Sequence, residues 1–129
     1  MTKKELQEYY WVRRNIRQLE EKLEELEAEA TRQTTRFTQQ PKARSSKDRM
    51  ADAVAEIVTI QEKMQEELEK SYKLLTRIEQ AIESLPPREK YLIRARYIDC
   101  KTWEQIAVEM HYSWPHVHRI HSRALQMLA

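Results

Sequence analysis

Apolar residues recur at alternating steps of three and four along two long stretches of the chain, from about Lys4 to Thr31 and from Asp48 to about Ser84. The seam residues of the first stretch are Tyr9, Val12, Ile16, Leu19, Leu23, Leu26 and Ala30. Those of the second are Met50, Val54, Ile57, Gln61, Met64, Leu68, Ser71, Leu75, Ile78, Ile82 and Leu85, with Gln61 and Ser71 as polar positions expected to set the register. This heptad pattern is typical of helices that pair along a narrow apolar seam. We therefore expect two long helices in an antiparallel hairpin, within one chain or within a dimer.

Two further helix starts stand eleven residues apart near the C-terminal end. Thr102 is followed three residues later by Gln105, which is the spacing of a capping box. Ser113 precedes a proline in the first helical turn, where a missing N–H costs nothing. The apolar face of the first helix is Trp103, Ile106, Ala107 and Met110, and that of the second is Val117, Ile120, Ala124, Leu125 and Leu128. Because only residues 110–112 remain for the turn, the pattern predicts a helix-turn-helix, a motif that most often binds DNA.

Few other residues in the chain break or end helices. Pro86 and Pro87 separate the second long helix from a shorter one, Arg88 to Ile98. The chain has no Gly and only four Pro, so nearly all of it should be helical. We therefore predict an all-α protein in which residues 1–85 form a long, coiled-coil-like hairpin arm for oligomerisation. Residues 86–129 follow as a small helix-turn-helix domain.

Charge is distributed unevenly although the net charge is only +2. Residues 31–49 carry six basic and one acidic side chain, and residues 86–129 carry seven and four, whereas both long-helix segments are net acidic. The two basic segments are the candidates for phosphate contact. Residues 32–48 also lack apolar periodicity, and Pro41 interrupts them. We interpret 32–48 as a loop or mobile basic segment, either a solvated linker or an arm that contacts DNA.

The sequence gives little indication of a catalytic or metal-binding site. Cys100 is the only cysteine, which precludes an internal disulfide and favours a reducing cytosol, and no base is predicted beside it to activate a nucleophile. All four His lie between positions 111 and 121 and add positive charge there if they are protonated, but no Cys pair accompanies them, so we expect no metal site. No apolar run approaches the roughly 18 residues of a membrane span. We expect a cytoplasmic protein without catalytic residues or a cofactor.

The C-terminal motifs resemble a known family. A leucine–proline segment with an Arg-Glu pair, a helix that ends in Arg-Tyr, a Glu-Gln-Ile-Ala run and a Ser-led helix that ends in Arg-Ala-Leu follow one another between Leu85 and Ala129. In this order they resemble region 4 of the sigma-70 family of RNA polymerase factors. The whole chain, with its long upstream helices, is similar to the ArpU/RinA-type late transcription regulators of phages and prophages. Upstream of Leu85 the similarity is only in helical character.

This resemblance implies that the second helix of the motif enters the major groove of double-stranded DNA. The residues that it places towards the bases are Trp114, Pro115, His118 and Arg119. Those that it places near the DNA backbone are His116, Ser122 and Arg123. The turn position usually held by Gly in the family is His111, where a left-handed conformation would cost about 1 kcal/mol relative to Gly.

Three functions are compatible with these features. The first is a sequence-specific DNA-binding transcription regulator of a phage or prophage. The second is an interaction protein whose domain binds RNA polymerase without touching DNA. The third is a phage packaging protein of the small-terminase type, which also joins a helix-turn-helix to helical oligomerisation segments. We expect the chain to form a homo-oligomer, most simply a dimer, whereas a ring larger than a dimer would favour the packaging protein.

Overall fold

The computed structural model describes the backbone of residues 1–39 and 44–129, and the side chains of all of these except residues 33–39 and 44–46. Five α-helices and one π-helical turn follow in the order α1 Lys3–Gln39, α2 Arg44–Ile82, α3 Pro87–Ile93, the π-helical turn Arg94–Ile98, α4 Trp103–Met110 and α5 Trp114–Leu128. The predicted all-α class is confirmed over this part of the chain. None of the described helices is long and apolar enough to cross a membrane.

The predicted loop at 32–48 is wrong for most of its length. α1 continues to Gln39 and α2 begins at Arg44, while residues 40–43 lie outside the described part of the chain. The physical reason is that Thr, Gln, Arg and Ser disfavour a helix by only a few tenths of a kcal/mol per residue. A helix that is already nucleated extends through such residues at little cost. Whether this segment contacts DNA stays a prediction.

The chain divides into two compact units, one formed by Met1–Arg13 with Lys70–Ala129 and the other by Arg14–Glu69. Both long helices contribute to both units. The first unit therefore contains the start of α1 and the end of α2 in addition to the three short helices. The domain boundary between residues 85 and 86 stays a prediction.

In the unit Arg14–Glu69, α1 and α2 pair in antiparallel directions, as predicted. Lys22 and Leu26 of α1 line one cleft with Ala55 and Ile60 of α2, and Leu19, earlier in α1, lines another with Lys63, later in α2. The side of α2 that is buried or half-buried is formed by Met50, Ala53, Ile57, Ile60, Met64, Glu67 and Leu68. At two positions the residue that faces α1 precedes the predicted seam residue by one. Ala53 is buried instead of Val54, and Ile60 is half-buried instead of Gln61.

Gln61 is exposed, so its predicted role in setting the register of this helix pair is wrong. The physical reason is that the inward side of a helix is wider than a strict heptad seam, and the position of α1 decides which of two adjacent residues it covers. Ser71, the other polar seam position, is buried as expected.

The other unit encloses the main apolar core. α3 and α4 both pack against α5. The large apolar side chains buried there are Leu6, Tyr9, Val12, Leu74, Ile78, Ile82, Leu85, Leu92, Ile93, Tyr97, Ile106, Val117, Ile120 and Leu128. A bidentate ion pair joins Glu79 of α2 to Arg94 of the π-helical turn. Arg94 donates from Nε to Glu79 Oε1 at 3.2 Å and from Nη2 to Glu79 Oε2 at 2.7 Å. This hydrogen bonding holds the pKa of Glu79 below its ordinary value.

The turn between α4 and α5 closes without glycine. His111 adopts the left-handed conformation, with φ 59° and ψ 37°. The Tyr112 N–H donates to the Ala107 carbonyl at 3.1 Å and the His111 N–H donates to the Val108 carbonyl at 3.2 Å, which together form a Schellman motif. The left-handed conformation considered for His111 is therefore confirmed. Cys100, after the π-helical turn, is left-handed as well, with φ 56°, and nothing in the sequence predicted it.

We predict that His111→Gly stabilises the protein by about 1 kcal/mol, because Gly adopts the left-handed conformation without the penalty of a Cβ atom. Urea unfolding measures this change. The control is Arg119→Gly in the exposed middle of α5, which should instead destabilise by about 1 kcal/mol because Gly weakens a helix interior. A His111→Gly variant no more stable than the parent would show that the turn at this position is unstrained.

Candidate nucleic-acid interface

Side-chain caps fix the first turns of both helices of the helix-turn-helix. The Gln105 N–H donates to Thr102 Oγ1 at 3.1 Å, and the Thr102 N–H donates back to Gln105 Oε1 at 2.9 Å. The His116 N–H donates to Ser113 Oγ at 3.4 Å. The predicted capping box and the predicted N-cap are both confirmed. Such caps contribute about 1 kcal/mol each and fix where α4 and α5 begin.

One side of α5 is buried and the other is exposed. The buried side consists of Val117, Ile120, His121, Ala124 and Leu128, while the predicted Leu125 is only half-buried. The predicted site residues that are exposed are Trp114, Pro115, Arg119, Ser122 and Arg123. They run from the first turn of α5 to its third. The structure thus brings five of the seven predicted residues onto the open side of one helix.

The other two predicted residues are histidines in ring contacts. His116 is half-buried beside Tyr112, with ring centroids 4.3 Å apart. His118 lies between two tryptophans, 4.3 Å from Trp103 and 4.0 Å from Trp114 between ring centroids. Its Nε2 atom is buried and has no hydrogen-bond partner among the described residues. His118 therefore supports the ring of Trp114, which is itself 53% exposed.

His121 continues this ring cluster into the core. Its Nε2 atom lies 2.7 Å from the Tyr97 hydroxyl, and the Trp103 ring meets the His121 ring edge-on at 4.8 Å. Burial, assisted by the positive charges of Lys3, His118 and Arg96, lowers the pKa of His121 to about 4. Burial also raises the pKa of Tyr97 to about 12. Both groups are uncharged at neutral pH, so the expectation that every histidine here could add charge is wrong for His121.

A buried carboxylate that sequence reasoning missed lies behind the exposed arginines. Glu89 in the first turn of α3 is 3% exposed. Arg88 donates to its Oε1 atom from Nη2 at 2.9 Å. Burial raises the pKa of Glu89. Hydrogen bonds from Arg88 and the backbone, together with the charges of Arg88 and Arg123, outweigh this effect, so the pKa is lowered overall. Glu89 thus supplies a fixed negative charge near Arg123 of α5, and the Arg-Glu pair after two prolines was the available signal.

No group of three or more His, Cys, Asp and Glu side chains that could hold a metal ion occurs in the part of the chain that the structure describes. The arrangement consists of cations and aromatic rings on one helix, a combination suited to phosphates and base edges.

Comparison with known proteins agrees with this geometry. Residues 81–129 match the family model of Sigma-70, region 4, which covers α3, α4 and α5. This match indicates DNA binding in transcription, and such a domain is typically a non-catalytic DNA-binding module. No curated protein and no solved structure matches the chain.

We predict that acid destabilises the protein through His121. Its pKa is about 4 when folded and near 6.5 when unfolded, so the stability is complete above pH 6.5 and is lost as the pH falls towards 4. The loss should total about 3 kcal/mol, because each unit of pKa corresponds to about 1.4 kcal/mol.

Urea unfolding at pH 7 and pH 4.5 measures this loss in the parent and in His121→Gln, which has no titrating group at that position. Tyr97→Phe is the control, because burial rather than the hydroxyl causes the shift, and it should keep the acid sensitivity. Equal acid sensitivity in His121→Gln and the parent would contradict the assignment.

Proposed function

We propose that the chain is a phage or prophage transcription regulator that binds specific DNA sequences through α5. The observation that carries the proposal is the exposed side of α5 on a helix-turn-helix within the residues that match Sigma-70, region 4. In such motifs the second helix lies in the major groove and its N-terminal residues contact base edges. The first turns of α5 carry an exposed tryptophan and an exposed arginine in those places, Trp114 and Arg119.

Base contact is assigned first to Arg119 and Trp114. Arg119 is exposed between the buried Val117 and Ile120, so its guanidinium is free to form a bidentate contact with guanine. Trp114 offers an apolar surface to a thymine methyl group. Pro115 follows Trp114 and contributes only van der Waals contact, because a proline side chain neither donates nor accepts a hydrogen bond.

Backbone contact is assigned to His116, Ser122 and Arg123. Arg123 is exposed on α5, and its positive charge contributes to lowering the pKa of the buried Glu89. His118, which the resemblance placed towards the bases, contributes through its tilted ring contact with Trp114. Phosphate contacts of this kind position the helix, and base contacts then supply the specificity.

The long hairpin is assigned to self-association into a homodimer. Its seam residues Leu19, Leu23, Ile57 and Met64 are only half-buried by the pairing of two helices. Val54 and Val58, one helical turn apart on α2, are 50% and 46% exposed. A second copy would cover them and remove apolar surface from water.

A second candidate function is an interaction protein that binds RNA polymerase. Val108 on α4 is 73% exposed, so the domain offers an apolar surface position outside α5. Polymerase capture by a chain that has no affinity for duplex DNA would favour this alternative.

The first test is Arg119→Ala. A bidentate guanine contact provides about 1–3 kcal/mol of discrimination, so affinity for a selected duplex should fall roughly 5- to 150-fold. Affinity for random duplexes should fall much less. Arg17→Ala, an exposed arginine of α1, is the charge-matched control and should not lose discrimination. An equal loss on both duplexes would make Arg119 a phosphate contact.

The second test concerns assembly. Light scattering should give a dimer at micromolar concentration, and Val54→Glu with Val58→Glu should shift it towards monomer by burying charge in the contact. Val108→Glu is the matched control, an equivalent change outside the hairpin. A monomeric parent would remove the self-association proposal, and a ring larger than a dimer would favour a packaging protein.

A further inference from the structure

A cavity of about 270 Å³ lies where the start of α1 meets the π-helical turn and the start of α4. Its walls are Lys3, Gln7, Tyr10, Trp11, Arg96, Tyr97 and Trp103. Trp11 is 60% exposed, and its ring meets that of Tyr10 edge-on at 5.2 Å between centroids. The cavity thus has aromatic walls and opens beside an exposed tryptophan. None of the residues from α1 lies within the segment that matches Sigma-70, region 4.

The charge of this cavity is positive and uncompensated. Lys3 and Arg96 line it, and no Asp or Glu does. Arg96 is held in place, with its guanidinium carbon 4.6 Å from the Trp103 ring centroid and its Nη1 atom donating to the Lys101 carbonyl at 2.9 Å. Neither Lys3 nor Arg96 forms an ion pair with a carboxylate among the described side chains. Two cations with no counter-charge favour an anion between them.

The positive charges of the cavity also act on His121, which contacts two of the lining residues, Tyr97 and Trp103. After burial, the charges of Lys3 and Arg96 are among the causes that lower the pKa of His121. Both positive charges therefore act on the same buried ring without a nearby carboxylate to cancel them.

The cavity is also close to the proposed DNA-binding helix. Trp103 forms one wall, and its ring contacts that of His118, which in turn contacts Trp114 at the start of α5. Two ring contacts therefore separate the cavity from the first residue of α5. In helix-turn-helix complexes the first helix crosses the DNA backbone, and Trp103 is the first residue of that helix.

We propose that this cavity binds a phosphate group and that the phosphate belongs to the backbone of the DNA that α5 contacts. Lys3 and Arg96 supply the charge, and Trp11 covers the adjoining sugar. The protein–DNA interface then extends beyond the helix-turn-helix onto α1. The phosphate site follows from the cavity itself, whereas its assignment to DNA rests on the proposed function.

The salt dependence of DNA affinity tests this proposal in the full-length chain. Removing one phosphate contact should reduce the slope of log affinity against log salt by about 0.9. Lys3→Gln should show this reduction. Lys4→Gln is the matched control, because Lys4 is exposed in the same helical turn but does not line the cavity. Trp11→Ala should lower affinity without changing the slope, and urea unfolding confirms that each variant is folded.

A second experiment tests whether the bound phosphate belongs to DNA or to a free ligand. Inorganic phosphate and deoxyadenosine monophosphate are titrated without DNA, and tryptophan fluorescence is followed. A reduced slope in Lys3→Gln alone, with no response to the free ligands, supports the DNA backbone as the source. A free-ligand response that Lys3→Gln abolishes, together with an unchanged slope, keeps the phosphate site but overturns its assignment to DNA.

No free-ligand response and equal slopes for the parent, Lys3→Gln and Lys4→Gln overturn the phosphate site, while a specific effect of Arg119→Ala would leave the proposed function intact. If the parent binds no DNA, the proposed function and the DNA assignment both fail. The free-ligand arm then decides the phosphate site.

Discussion

The burial of one side of α5 is the interaction on which the rest of its unit, Met1–Arg13 with Lys70–Ala129, depends. Val117, Ile120 and Ala124 are buried where α5 packs against α3 and α4. Burying each larger side chain contributes roughly 1.5–3 kcal/mol, so rotation of α5 about its axis would cost several kcal/mol. This cost determines which residues face outward. The positions of Arg119, Ser122 and Arg123 on the exposed side follow from it.

At the N-terminal end of α5, contacts between aromatic rings determine which side chains face outward. The rings of Trp103, His118 and Trp114 contact one another in series. Each such contact contributes about 0.5–1.5 kcal/mol beyond area burial. An exposed tryptophan held in this way loses little side-chain freedom when it binds, which reduces the entropic cost of recognition. The same Trp103 ring forms a wall of the cationic cavity, so one side chain supports both proposed contacts with DNA.

Features that depend on nearby residues were predictable from the sequence. The caps at Thr102 and Ser113 each depend on a backbone N–H three residues away, and the left-handed turn at His111 depends on the short distance between two helix starts. The pairing of α1 with α2 followed from heptad spacing. These signals act within a few residues or repeat along a helix.

Contacts between particular side chains of the separate helices were not predictable. Three features depend on how helices distant in sequence pack: the contact of His118 with two tryptophan rings, the burial of His121 against Tyr97, and the cavity shared by Lys3 and Arg96. The extent of α1 and α2 was missed because polar residues without periodicity were interpreted as a loop, whereas their helix propensities are nearly neutral.

The most direct test of the central claim is selection of bound duplexes from a randomised pool by the full-length chain, followed by sequencing. One recurring sequence is expected, and it should disappear when Trp114 and Arg119 are both changed to Ala, while weak binding to all duplexes remains. Recovery of no recurring sequence by the parent chain, or of the same sequence by the double variant, would contradict the claim that α5 reads DNA.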